Sequence, residues 1–349
     1  MSEAFVQPRA AVAGHRPGEL RWHPFRPRRE QCAAVLRPPD HQYDPADRDE
    51  RGHYTGTEDS ASDHGPVEAA YLAAIAAFAE ASGIDRLEIR EPSVTGTGSV
   101  HFGVEPPVDG HGLGGLFPPD LTGYHDGAEV SLPVALELVR AMLRDQGAWC
   151  RLEAGDAFTV HVGWDQYVYV GSDRPCADAV ARTRELGLFP EPMTASPYAA
   201  ELEEREVTEA ADEDFWTRVR TELASRQTVL LEETHVRDAA RWHRLTPGNL
   251  DAVRAGLGPR ALLTVWPDLS PDVGAVLAAL PEEGAVEFVW EAQDGTISHT
   301  IVDDTEYRQL AALVVGARAA CALPLYPGER RPLLCAALPD SDGVLRARW

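Results

Sequence analysis

The feature that most constrains the fold is a recurring local pattern. Three stretches pair an amphipathic helix, closed by glycine, with a strand, a turn and a second strand. In the first, Val67, Tyr71, Ile75 and Phe78 recur at spacings of four and three behind Gly65-Pro66, and Gly83 closes the helix. In the second, Val134, Leu138, Val139 and Met142 precede Gly147, then Trp149, Cys150 and Leu152 start a strand and Phe158, Val160 and Val162 its partner. In the third, Val273, Val276, Leu277 and Leu280 precede Gly284; Val286, Phe288 and Trp290 lead through Asp294-Gly295 to Ile297 and Ile301. A helix followed by a hairpin buries its apolar stripe on the sheet that the hairpin starts, so the expected class is α+β.

A length of 349 residues predicts two such domains. Residues 1–42 read as an Arg/Pro-rich disordered tail, because six prolines (Pro8 to Pro39) interrupt any helix and no period-2 run is visible. Residues 43–198 read as an α+β domain, with 84–91 a half-exposed strand and 99–104 its hairpin partner. Residues 199–214 read as an acidic linker, with Glu201, Glu203, Glu204, Glu206, Glu209, Asp212, Glu213 and Asp214 in close succession. For residues 215–349 the predicted order is β-α-β-β-α-β, the ferredoxin-like arrangement. Its strands are 261–266, 286–290, 297–301 and 333–338, with helices from Ser270 and over 307–317.

Charge bounds the partners. Asp and Glu number 56 against 32 Lys and Arg, a formal net charge of -24, and every cation is arginine because the chain has no lysine. With the abundance of Ala, Gly, Pro and Asp, this is the composition of a GC-rich bacterial gene. A surface this negative repels phosphate backbones and anionic lipid and favours a basic macromolecular partner. Without lysine, Schiff-base chemistry and a Walker-type phosphate clamp are excluded. Five cysteines, an odd number without a C-x-x-C pair, exclude a disulfide framework; Cys150 and Cys335 read as buried thiols. No segment has the apolar length of a membrane span and no secretory signal is visible, so the expected location is the cytoplasm.

Two constellations carry candidate chemistry. Trp164, Asp165, Tyr167 and Tyr169 lie together in "GWDQYVYVG", where alternation puts both tyrosines on one face: a recognition stripe, or core with one exposed edge. Asp63, His64, His101, His125 and His161 fall in one domain and offer imidazole and carboxylate ligands, although no pair has helical metal-site spacing. His161 is predicted opposite Phe158, Val160 and Val162. Arg26, Arg28 and Arg29 make the tail locally basic, as a nucleic-acid-binding arm would be. Gly110-His-Gly-Leu-Gly-Gly115 matches a dinucleotide fingerprint literally, but prolines flank it and strand and helix do not, so no dinucleotide is expected. No cofactor is expected.

The segments "YDPADRDERGHYTG", "SDHGPVEAAYLAA", "GAWCRLE" and "WDQYVYVGSDRPC", with "GLFPEPMTASPY", resemble a group of uncharacterised actinobacterial proteins, some labelled RNA-binding. The resemblance covers 43–198 and brings no catalytic residues. The leading expectation is a non-catalytic binding protein for a basic macromolecule, in one concrete form an immunity-type neutraliser of a nuclease. RNA binding is what the resemblance implies, and metal-dependent hydrolysis by the His/Asp set is a further alternative.

Overall fold

A computed structural model describes residues 32–37, 65–95, 108–163, 167–193, 209–325 and 329–349. In the N-terminal part the elements are β1 (Cys32–Arg37), α1 (Pro66–Ser82), β2 (Arg86–Val94), β3 (Glu129–Ser131), α2 (Leu132–Leu143), β4 (Ala148–Ala154), β5 (Phe158–Val162), β6 (Val168–Ser172), α3 (Ala177–Glu185) and β7 (Phe189–Pro192). The strands form one seven-stranded antiparallel sheet in the order β3-β2-β4-β5-β6-β1-β7. Alternation sends Leu87, Ile89, Cys150, Leu152, Phe158, Val160 and Val162 into the core with Tyr71, Ile75 and Phe78 of α1 and Leu138 and Val139 of α2. Pro66 opens α1, and Gly83 closes it at φ 70°, where a side chain is strained.

The C-terminal part has α4 (Glu213–Arg226), β8 (Val229–Thr234), β9 (Ala240–Leu245), α5 (Leu250–Gly256), β10 (Leu262–Pro267), α6 (Val273–Ala278), β11 (Ala285–Glu291), β12 (Ile297–Asp303), α7 (Tyr307–Leu313), β13 (Ala319–Pro324) and β14 (Leu334–Ala337). It builds two sheets, β14-β10-β8-β9 and β12-β11-β13. Val229 and Leu231 face Phe215, Val219 and Leu250 of the helices, while Leu230 and Trp266 face Val289 and Leu323 of the other sheet. Val286 and Phe288 face Leu310 and Val314 around α7. The result is four layers, helix, sheet, sheet and helix.

The predicted four-stranded ferredoxin-like sheet does not form. Strands β10 and β14 lie in one sheet, β11 and β12 in the other. The repeated unit is α-β-β-α-β, with the first strand central: β8 between β9 and β10, β11 between β12 and β13, and β2 between β3 and β4. Two unforeseen strands cause the difference. Ala319–Pro324 is alanine-rich and continues a helical pattern from α7, yet it takes the free edge of β11. Ala240–Leu245 carries Arg241, His243 and Arg244 and lacks an apolar run, yet it pairs with β8 along its length.

Other expectations are corrected too. The presumed tail contains β1, an interior strand between β6 and β7, whose continuous apolar run suits pairing on both edges. The predicted partner strand 99–104 lies outside the described residues; β2 instead pairs with β3 and β4. The acidic stretch ends inside the fold. Ala211 N donates to Ala337 O at 2.8 Å, and the Asp212 carboxylate caps α4 by accepting from the amides of Asp214 and Phe215. Cys150 is buried, its thiol pushed up to about 12 by burial, whereas Cys335 is exposed on the edge strand β14. No helix among the described residues is long and apolar enough to cross a membrane.

One buried carboxylate joins two helices of the first layer. Glu68 on α1, 4% exposed, accepts from Arg140 Nε at 3.0 Å and from Arg144 Nε and Nη2 at 2.7 and 3.0 Å, all on the side of α2. Both guanidiniums keep some water, so Glu68→Ala is expected to cost about 2 kcal/mol. Urea unfolding would show this as a lower midpoint at unchanged slope.

Candidate functional site

The helix-free face of the seven-stranded sheet is charged where it is most buried. Alternation that sends Leu87, Ile89, Cys150 and Leu152 to the core turns Arg90, Arg151 and Glu153 the other way, each 5–6% exposed. The antiparallel register sets Arg90 directly opposite Arg151 and Glu88 opposite Glu153, two like-charge pairs that repel. Neighbours on that face cancel the repulsion. Glu91 Oε2 lies 3.3 Å from Arg151 Nε, and Asp126 Oδ2 lies 3.1 Å from Arg90 Nη1.

A β-bulge makes this possible. The register slips between Arg90 and Ser93, and Glu91 sits at φ 54° in the left-handed region. A non-glycine residue there is strained by about 1 kcal/mol. Asp126 holds the strained residue, its Oδ1 accepting from the Glu91 amide at 2.9 Å. The bulge also redirects the strand. Pro92 O accepts from Arg237 N at 2.9 Å and Val94 N donates to Arg237 O at 3.1 Å, so β2 is hydrogen-bonded to the segment between β8 and β9.

The C-terminal part completes the cluster. Arg348 binds Glu153 in bidentate fashion at 2.9 and 2.7 Å and reaches Glu91 at 3.9 Å. Arg90 Nη2 donates to the Arg346 carbonyl at 3.0 Å. Arg260 holds Asp340 through two bonds of 2.8 and 3.0 Å, and its Nη1 stands 3.8 Å from Asp126. The Arg260 guanidinium lies over Gly127 (φ 78°), where a Cβ would sit 1.7 Å from Nη1 and displace it, and the positive φ itself favours glycine. Burial raises the Asp126 carboxyl above its usual range against the pull of Arg90 and lowers the Arg90 guanidinium. Burial also opposes charge on Arg348, but the bond to Glu153 outweighs it and the net shift is upward. What this arrangement does chemically is seat guanidinium groups on dry carboxylates.

The predicted site residues meet it only in part. Asp63, His64, His101, Trp164, Asp165, Arg26, Arg28 and Arg29 lie outside the described residues. His161 does face away from the core, as its parity requires. It is 6% exposed, packs edge-on to Trp149 at 5.2 Å and lies 6.0 Å from Tyr169. Tyr169 therefore joins an aromatic row with His161 and Trp149, and Tyr167 is half-buried beside it. His125 is half-buried and donates from Nδ1 to Asp126 O at 3.0 Å. Among the described residues no three His, Cys, Asp or Glu side chains converge as a metal cage. The Gly110–Gly115 run forms successive turns packed on the end of α2, where a Cβ on Gly112 would meet Gln146 and Ala141.

Sequence reasoning missed Arg90, Glu91, Asp126, Arg151, Glu153, Arg260 and Arg348. The legible signal is "RLEIRE" against "CRLEA", alternating charges on two strands that pair; alternation in 84–91 alone predicts only a half-exposed face.

A second polar seam separates the two C-terminal sheets. Glu232 accepts from Trp266 Nε1 and Arg330 Nη2, both at 2.9 Å, and Arg330 also lies 3.4 Å from Glu287, which His299 meets at 3.0 Å. Beside it a cleft of about 530 Å³ is lined by Trp242, Arg244, Asn249 and Glu291. The Arg244 guanidinium is already held by Asp268 and Glu291.

No family model, curated protein or solved structure matches this chain.

The His161 imidazole gives the first sheet a pH signature. Burial first, and Arg151 second, depress its pKa from 6.5 to about 3. Between those values the unfolded chain binds the proton and the folded chain does not. His161 therefore supports the folded state above pH 6.5, and that support is lost as pH falls toward 3, at about 1.4 kcal/mol per unit. Urea midpoints measured from pH 7 to 5 should fall more steeply for the native chain than for His161→Gln.

Proposed function

We propose that the protein is a non-catalytic binding protein whose carboxylate-rich exterior receives a basic macromolecule, an immunity-type neutraliser of a cationic protein being the concrete form. One observation carries this reading: many of the described arginines are paired within the molecule, while carboxylates outnumber cations in the chain. Arg90, Arg140, Arg144, Arg244, Arg254, Arg260, Arg330, Arg346 and Arg348 each hold a carboxylate of the same chain. Exposed carboxylates remain among the described residues, and the chain as a whole carries a net charge of -24.

One group of exposed carboxylates lies at one end of the three-stranded sheet. The register of Ala285 opposite Asp303 brings the loop before β11 beside the loop after β12. Glu282, Glu283, Asp303 and Asp304 are exposed there, with Glu306 half-buried and Arg308 the cation that follows. The loops are tied: Gly284 N donates to Asp304 Oδ1 at 3.2 Å and Tyr307 Oη to Gly284 O at 2.7 Å. The Tyr307 phenol is raised by burial and by Asp304 and Asp303, which marks the carboxylates as close neighbours. Such a rim accelerates encounter with a cationic surface and repels nucleic acid.

The test is stopped-flow association with a small cationic ribonuclease. The expected rate falls steeply with ionic strength. The triple variant Glu282→Lys, Glu283→Lys, Asp304→Lys should associate about tenfold more slowly at low salt. Retention of RNA on a filter at low salt, with no capture of the cationic protein, would replace this reading by RNA binding through the segment of Arg26, Arg28 and Arg29.

A further inference from the structure

We propose that the buried carboxylates of the N-terminal sheet form a socket for an arginine-bearing peptide segment, and that residues 344–349 of this chain fill it as an internal stand-in which the partner's segment replaces. The proposal rests on the basic-partner reading and names the part of that partner that is recognised.

Four observations support it. First, residues 338–349 belong to no helix or strand, so they are held by side chains and isolated bonds, not by a ladder. Second, their contacts are the contacts of a bound peptide. The Arg348 guanidinium sits bidentate on Glu153, the Arg346 carbonyl accepts from Arg90, the Trp349 indole donates to the Arg260 carbonyl, and Leu345 is buried. A bidentate guanidinium on a dry carboxylate selects arginine over lysine.

Third, the socket has its own walls. Asp126, 2% exposed, stands 3.1 Å from Arg90 Nη1 and 3.8 Å from Arg260 Nη1, and Arg260 closes the other side over Gly127. Fourth, the segment has an anchor separate from Arg348. Asp340 stays anchored to Arg260, the Asp340 to Val344 turn is closed by two backbone bonds, and Gly343 inside it is exposed at φ 78°. Arg346 clasps Asp340 and Asp342 across this turn, so the turn stays closed while the residues beyond Arg346, Arg348 among them, leave the socket.

Energetics favour exchange over simple opening. Withdrawing Arg348 takes the bidentate partner from Glu153, a carboxylate 5% exposed, which is costly. Another guanidinium arriving at the same place restores that pair. An arginine-rich surface loop can therefore displace the segment, and an uncharged peptide cannot.

The experiment uses the full chain and a fluorescent, amidated peptide of sequence GVLRARW, read by polarisation. The variant Arg348→Ala keeps the segment but removes its guanidinium. It is expected to bind the peptide at least tenfold more tightly than the native chain. Binding should vanish when the second arginine of the peptide becomes alanine, and when Glu153→Gln is added to the protein. A folded Arg348→Ala chain that does not bind the peptide overturns the proposal. If that variant does not fold, hydrogen exchange of the native chain decides. Amides of 344–348 that exchange well before those of β4, and faster still with peptide present, support the socket; exchange in step with β4 overturns it. Peptide binding lost while the cationic ribonuclease is still captured sinks the socket alone. Loss of both sinks the basic-partner reading as well.

Discussion

A charged side chain removed from water must meet its opposite, and that requirement organises this molecule more than its apolar cores do. The cores of the three α-β-β-α-β units are ordinary: alternating strands over amphipathic helices, each apolar face closed by its own layer. What joins the first sheet to the C-terminal part is largely ionic, and ionic contacts run beside the apolar cluster between the two C-terminal sheets. Arg90, Arg151 and Glu153 face away from the first core and are buried only because Asp126, Glu91, Arg260 and Arg348 arrive from elsewhere. Between the two C-terminal sheets, Glu232, Glu287 and Arg330 play the same part. Pairs of this kind add little net stability over an apolar contact, but a wrong arrangement is heavily penalised. They specify which surfaces meet.

That division of labour explains what was legible in the sequence. Apolar periodicity is local, so α1, α2, α6, α7 and most strands of the three helix-hairpin stretches could be placed from spacing alone. Strand β9 could not, because its exposed-looking Arg241, His243 and Arg244 are satisfied by partners far away in the chain, Asp268 and Glu291 among them. Strand β13 could not, because alanine and cysteine at close helix contacts carry no period. Missing those two strands gave the wrong sheet pairing, since β10 was left to pair with β11. Strand β1 was hidden by flanking prolines, although "CAAVL" is the continuous apolar run of an interior strand.

The candidate site was harder to read for a related reason. His161 and Tyr169 were placed on the correct face by parity, and they do come together, with Trp149 completing the row. The charged cluster next to them draws on residues 90, 126, 153, 260 and 348. No spacing rule links positions that far apart. Their pairing appears only once the bulge at Glu91 bends β2 toward the second half of the chain.

The bulge has one more consequence. By turning the end of β2 so that Pro92 and Val94 share backbone bonds with Arg237, it lets a strand interior to the first sheet also touch the second layered body. A distortion at the end of β2 in one body reaches the other through these two backbone bonds. The strained left-handed residue is the pivot of that linkage, and its geometry ties the orientation of one half to the pleat of the other.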